Sequence, residues 1–98
     1  MARPFPWAGI CLDTGNFPRN GYAQVAMCIA YAVNVHFKSK ITDENGQKQD
    51  ADFDRLLGMF VTAGYRGYVS LEYEEADPEK NVPILAAKLL RGARKYSA

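Results

Sequence analysis

Residues 32–36 read AVNVH, an apolar run that ends in a side chain able to bind a metal. Residues 8–13 (AGICLD) and 67–72 (GYVSLE) repeat this arrangement, with an aspartate and a glutamate in the final position. Short apolar runs separated by helical patterns predict parallel strands in an α/β fold. Because the carboxyl ends of parallel strands form one ligand-binding edge, we expect the three final side chains to meet there.

Helical patterns follow all three runs and predict three strand–helix units in succession. A short helix follows the first run, and a second begins with Asp50 or Asp52 as its cap and ends at Gly64. A third helix begins after Asp77, where proline and glutamate follow the cap. Residues 39–50 are polar and contain an Asn-Gly turn signal, so we expect a long loop that binds ligand or acts as a lid.

The composition fits one domain, residues 1–98, with a modest core. Apolar residues make up 48% and charged residues 23%, and the net charge is +1 with lysine and arginine scattered. Binding of nucleic acid normally requires a basic patch, so we expect no nucleic-acid partner. No apolar stretch approaches the roughly 20 residues that span a bilayer, and the first residues lack the apolar core of a signal peptide. We therefore expect a cytoplasmic protein without a membrane partner.

The two cysteines lie in apolar contexts, Cys11 in a predicted buried strand and Cys28 on a predicted helix. A disulfide between them would indicate secretion, whereas isolated thiols in such contexts pack as small hydrophobic residues. We favour the second interpretation.

The three strand-end residues, Asp13, His36 and Glu72, each have a structural interpretation as well as a functional one. The aspartate is able to cap a local turn, a single histidine in a strand is often structural, and the glutamate precedes further acidic residues. Their equivalent positions favour a shared site. Two carboxylates and an imidazole suit a divalent metal such as Mn²⁺, Mg²⁺, Co²⁺ or Zn²⁺.

Such a metal would polarise a carbonyl and hold an enediolate while a neighbouring carboxylate moves a proton. Lys38, two residues after the histidine, faces the same side of a regular strand. It would neutralise an oxyanion or a substrate phosphate, or simply lie in solvent. Asn16 would bind a substrate hydroxyl, or form only a turn.

Residues 11–16 (CLDTGN), 35–38 (VHFK) and 64–72 (GYRGYVSLE) resemble the xylose isomerase-like TIM-barrel superfamily. The similarity is closest to its sugar phosphate isomerase/epimerase branch and covers about residues 9–90. The resemblance implies three consecutive strand–helix units with parallel strands, the C-terminal portion of a (β/α)₈ barrel. The barrel is incomplete, because a whole one takes roughly 250 residues.

In that superfamily the metal is typically held by Glu, Asp, His and Glu on the later strands. Asp13, His36 and Glu72 match the last three of these ligands, and the first glutamate has no counterpart in this chain. The resemblance also implies that Glu72 is the catalytic acid/base, because it matches a carboxylate with that role in the epimerases. Lys38 matches a polar position after the ligand histidine, and Asn16 falls where several epimerases carry a substrate-binding histidine.

The resemblance implies an isomerase or epimerase of carbohydrate metabolism that acts on a small keto or aldo sugar or its phosphate. Because half a barrel leaves open sheet edges, we expect self-association or a complementary barrel part, and we doubt the activity of the chain alone. The alternative is a non-catalytic barrel fragment or self-assembling module. A third relative with this barrel, the AP endonuclease, fits poorly because it needs more histidines than the one present.

Overall fold

The computed structural model describes residues 9–97, which form a mixed α/β unit. Its strands are β1 (Ile10–Asp13), β2 (Ala32–Lys38), β3 (Lys40–Thr42), β4 (Lys48–Asp50) and β5 (Val69–Glu72). Its helices are α1 (Gly21–Cys28), α2 (Phe53–Thr62) and α3 (Pro78–Ser97), and a 3₁₀ turn over Ile29–Tyr31 follows α1. Among the described residues, no helix combines the length and the apolar character needed to cross a membrane.

Strands β1, β2 and β5 form a parallel sheet with β2 in the centre. A helix follows each of these strands before the next begins, so the predicted α/β class with parallel strands is confirmed. Membership of a (β/α)₈ barrel stays a prediction. The register places Asp13 beside His36, and Lys38 beside Glu72. The polar ends of the three strands therefore meet at one edge of the sheet.

The two faces of this sheet differ in chemistry, because side chains alternate along each strand. Leu12, Val35 and Phe37 are buried in the core, and Phe37 packs against two further phenylalanines with ring centroids 5.7 and 5.6 Å away. The opposite face carries the polar side chains of Cys11, Asp13, Asn34, His36, Lys38, Ser70 and Glu72. One face thus builds the core and the other carries the candidate chemistry.

Helix α2 begins as one of the two predicted caps requires. The Asp52 side chain accepts a hydrogen bond of 3.0 Å from the backbone N–H of Arg55, whereas Asp50 lies in β4. Apolar side chains recur along one face of α2 at i, i+3, i+4, i+7 and i+8. Four of them, Phe53, Leu56, Leu57 and Phe60, are buried, and the fifth, Val61, is exposed.

The end of α2 is a Schellman motif at Gly64, the predicted stop. Gly64 has a φ of +78°, its N–H donates to the carbonyl of Val61, and the Tyr65 N–H donates to the carbonyl of Phe60. The Tyr65 ring packs edge-on against Phe60 at 5.3 Å between centroids. This motif turns the chain back toward β5.

Residues 39–50, predicted as a loop, instead form an antiparallel hairpin of β3 and β4. The predicted Asn-Gly turn is present, with Gly46 at a φ of +80° and its N–H donating to the Asp43 carbonyl. The hairpin packs on α1 at Gly21, where a Cβ would clash with Ile41. The loop prediction was wrong because each strand has three residues and β4 is wholly exposed, so neither shows an alternating pattern.

Candidate metal and sugar site

The predicted ligands Asp13, His36 and Glu72 come together at the carboxyl ends of β1, β2 and β5. Each offers one ligand atom, and these atoms all lie within 4.8 Å of one another. His36 Nδ1 lies 3.1 Å from Glu72 Oε2, and both side chains are about one-third exposed, at 36% and 38%. The cluster is thus accessible from the open face of the sheet.

The donor set and its spacing fit a divalent cation. Mn²⁺ and Mg²⁺ bind oxygen and nitrogen at about 2.1 Å, so neighbouring ligands of an octahedral site lie about 3 Å apart. The contact between His36 and Glu72 has this separation. Opposite ligands of such an octahedral site lie about 4.2 Å apart. The ligand atoms of the three residues lie within 4.8 Å of one another, a limit slightly wider than that distance. A modest side-chain rotation would close the difference.

Asp13 forms the predicted local turn and also lies in the ligand cluster. Its Oδ1 accepts a hydrogen bond of 2.9 Å from the backbone N–H of Gly15, which is the predicted local turn. Its Oδ2 lies 3.5 Å from the Lys38 ammonium. The turn therefore fixes the carboxylate in place at the site edge and does not remove it from the cluster.

Lys38 lies on the same face as the three ligand candidates, as the alternation of β2 predicts. Its Nζ donates to Asn16 Oδ1 at 2.6 Å and to Glu74 Oε2 at 3.2 Å, and its side chain is only 15% exposed. Lys38 is therefore held in a fixed position, which excludes the interpretation as a solvated loop lysine. Asn16 is likewise engaged in the cluster through its side-chain oxygen.

The Lys38 ammonium keeps its charge in this setting. Burial acts to lower its pKa, but the hydrogen bond to Glu74 and the charges of Asp13, Glu74 and Glu72 raise the pKa above its ordinary value overall. In turn, the hydrogen bond from Lys38 is the main cause that holds the pKa of the Glu74 carboxyl below its usual range. The pair is thus an ion pair at neutral pH.

Thr14 and Gly15, the two residues that follow Asp13, position Lys38. The buried Thr14 accepts a hydrogen bond of 3.1 Å from the Lys38 backbone N–H, and its own N–H donates to the carbonyl of His36. A Cβ at Gly15 would lie 2.6 Å from the Lys38 side chain and 2.9 Å from the carbonyl of Lys40. The Thr-Gly pair that follows Asp13 therefore lets β2 and the loop approach closely.

Three site residues were not identified from the sequence. Glu74 was treated as part of an acidic loop, yet it contacts Lys38. Cys11 was predicted to be buried, but it is an exposed free thiol whose Sγ lies 3.7 Å from His36 Nε2. Asn34 lies on the same face, with Nδ2 3.4 Å from the same nitrogen. Cys11 and Asn34 each lie two residues before a ligand candidate, Asp13 or His36. The alternation of side chains along a strand therefore indicates that they share its face.

The cavities of the described residues include two that border both the hairpin and the segment after β5. A small one of about 140 Å³ borders Lys38 and Asn16, between the hairpin and the loop after β5. A larger one of about 920 Å³ lies between the hairpin, α2 and α3, and none of the three ligand candidates lines it. The ligand cluster, and not the larger cavity, is the candidate site, because it brings ligand atoms from three strands within 4.8 Å of one another.

Two curated proteins are similar to part of the chain. The C-glycoside deglycosidase alpha subunit of Arthrobacter globiformis is 46% identical over 41 residues, which are 42% of this chain and 12% of that protein. The 3'-dehydrocarminate deglycosidase alpha subunit of Microbacterium sp is 43% identical over 44 residues, 45% of this chain and 13% of that protein. The matched segments thus span about an eighth of these curated relatives.

No known family profile matches the chain, and no solved structure matches it. The similarity to alpha subunits of two deglycosidases therefore concerns a segment, and the wider barrel superfamily stays a prediction.

Proposed function

We propose that this chain carries a metal-dependent proton-transfer site for a keto or aldo sugar, the chemistry of sugar and sugar phosphate isomerases and epimerases. One observation carries the proposal. Asp13, His36 and Glu72 come from three separate strands, and their ligand atoms lie within 4.8 Å of one another. In the proposal these residues hold a divalent cation, namely Mn²⁺, Mg²⁺, Co²⁺ or Zn²⁺.

The bound cation would supply polarisation of the sugar carbonyl. Glu72 takes the proton from the carbon beside that carbonyl and returns it to a neighbouring position, since a carboxylate has a second oxygen beyond the one that binds metal. The fixed Lys38 ammonium donates a hydrogen bond to the oxygen on which negative charge develops. Asn16 orients a substrate hydroxyl beside it.

The comparisons support a sugar as the substrate, because both similar proteins are deglycosidase subunits. The prefix 3'-dehydro in one of the names suits a keto sugar, since removing two hydrogens from a sugar CHOH group leaves a ketone. Proton removal beside a ketone also precedes loss of a group one carbon further along. Deglycosylation by elimination is therefore a second candidate reaction for the same residues.

The architecture we propose is the C-terminal part of a (β/α)₈ barrel. The polar, accessible face of the sheet would then line the barrel interior, where such enzymes bind ligands at the carboxyl ends of the strands. A fourth ligand and the remaining strands would come from a complementary barrel part or a second copy. If no such part exists, the alternative is a non-catalytic fragment or self-assembling module.

The test is solvent exchange at the carbon beside the carbonyl. Proton exchange needs only the cation, Glu72 and the carbonyl compound, so we expect it even where full turnover requires the remaining barrel. The Mn²⁺-loaded chain should incorporate deuterium from D₂O into a keto sugar faster than buffer containing Mn²⁺, as followed by NMR. Glu72→Gln should abolish the excess rate, and Glu44→Gln, an exposed carboxylate of the hairpin, should preserve it. Exchange no faster than buffer with a folded chain would contradict the proposal and favour the non-catalytic alternative.

A further inference from the structure

We propose that the site takes an unphosphorylated keto sugar and discriminates against its phosphate ester, an inference that rests on the proposed function. The Lys38 ammonium lies beside the ligand cluster and already contacts several acceptors. Lys38 donates to Asn16 and Glu74, and Asp13 Oδ2 lies 3.5 Å away. Two of the three protons of this ammonium are donated to Asn16 and Glu74, and the third, on the side of Asp13, is left for one sugar oxygen. A phosphate carries several charged oxygens, so it would have to displace a carboxylate to take more than one hydrogen bond from this ammonium.

The other lysines of the small cavity are also matched by carboxylates. Lys40 forms an ion pair with Asp50, and Lys48 lies 4.0 Å from Glu75. Every lysine that lines this cavity in the described part of the chain therefore faces an acidic side chain. A phosphate in this cavity would therefore meet a carboxylate within 4.0 Å of each ammonium.

The small cavity beside the cluster lacks one common element of a phosphate site in the described residues. Phosphate groups are commonly bound by the fork of an arginine. None of the arginines in the described residues lines the small cavity. Barrel enzymes often bind phosphate with the loops after their last strands. Here the segment after β5, residues 73–77, reads YEEAD, with three acidic residues and no basic one.

The charge balance leads to the same result. The ligand cluster together with its neighbours has three carboxylates, Asp13, Glu72 and Glu74, and one ammonium, Lys38. Their net charge is two negative units, which a divalent cation would neutralise without leaving a positive charge. A phosphate monoester adds about two more negative charges. A neutral sugar instead exchanges hydroxyl hydrogen bonds with Lys38, Asn16 and Glu74, and no ion pair has to break.

The experiment compares deuterium incorporation into D-fructose and D-fructose 6-phosphate by the Mn²⁺-loaded chain, with free Mn²⁺ held constant. We expect exchange with fructose to be faster by at least about tenfold, as one unfavourable charge contact near a site allows. Equal rates or faster exchange with the phosphate would overturn this inference and leave the proposed function intact. Exchange with neither would overturn the proposed function, and the inference with it.

A charge variant tests the cause of the discrimination. Glu74→Gln removes the carboxylate from Lys38, so the preference for fructose over its phosphate should fall by about tenfold. Glu79→Gln, an exposed carboxylate in the first turn of α3, should preserve the preference. A preference unchanged by Glu74→Gln would show that these charges do not set it and would overturn the electrostatic inference.

Discussion

His36 Nδ1 contacts Glu72 Oε2 at 3.1 Å, across the two neighbouring strands β2 and β5. On the other side of the ring, the Asn34 amide nitrogen lies 3.4 Å from Nε2. With the amide donating to Nε2, the ring proton is placed on Nδ1 and is donated to the carboxylate. The contact thus orients the imidazole, and a cation held between Nδ1 and Oε2 would take the place of the shared proton.

Replacing Glu72 by glutamine should weaken Mn²⁺ binding by at least about tenfold, because the affinity of such sites depends on the number of charged oxygen ligands. The amide keeps the size of the side chain, so the fold should persist. Calorimetric titration of Glu72→Gln against Glu79→Gln measures the difference. Equal affinities in the two variants would remove Glu72 from the ligand set.

Lys38→Met should lower the deuterium-exchange rate by about a hundredfold, the usual effect of removing one donor to a developing oxyanion. Methionine keeps the stem of the side chain but loses the contacts to Asn16 and Glu74. Lys80→Met, at an exposed position of α3, is the matched control. An unchanged rate in Lys38→Met would assign the lysine to structure alone.

Phe37→Ala should destabilise the fold by about 3–5 kcal/mol, because the ring is fully buried between Phe53 and Phe60. This is a large part of the stability of a domain this small. Tyr68→Ala, at a position 85% exposed, should change stability by less than about 0.5 kcal/mol. Urea unfolding of both variants measures the two values, and similar losses would contradict the core described above.

The hairpin gives a pH-dependent prediction. The hydrogen bond from Lys40, followed by its charge, holds the pKa of the Asp50 carboxyl below its usual range. This pair therefore stabilises the fold above the unfolded-state pKa, and the contribution is lost as pH falls through the lower folded-state pKa. NMR titration of the Asp50 carboxyl should show a midpoint that rises in Lys40→Met and is unchanged in Lys48→Met. The same midpoint in wild type and Lys40→Met would contradict the pairing.

Much of this fold follows from local signals. The Asp52 cap, the Gly64 stop and the buried stripe of α2 each have a short-range physical cause, so the sequence pattern predicts them. The convergence of Asp13, His36 and Glu72 also follows, because parallel strands align their carboxyl ends.

The remaining features depend on long-range contacts. Cys11 was assigned to the core because continuous apolar runs are typical of strands covered on both faces, whereas one face of this sheet is polar. The hairpin is stabilised by packing of Ile41 on Gly21, which no local pattern reveals. Glu74 joins the site through an ion pair with a lysine 36 residues away in sequence.

The most direct test of the central claim is a calorimetric titration of the chain with Mn²⁺, beside His36→Ala and with light scattering to follow the oligomeric state. We predict saturable binding by the wild-type chain, and none by a folded His36→Ala. A folded wild-type chain that binds no Mn²⁺, or a variant that binds as well as wild type, would contradict a metal site formed by Asp13, His36 and Glu72.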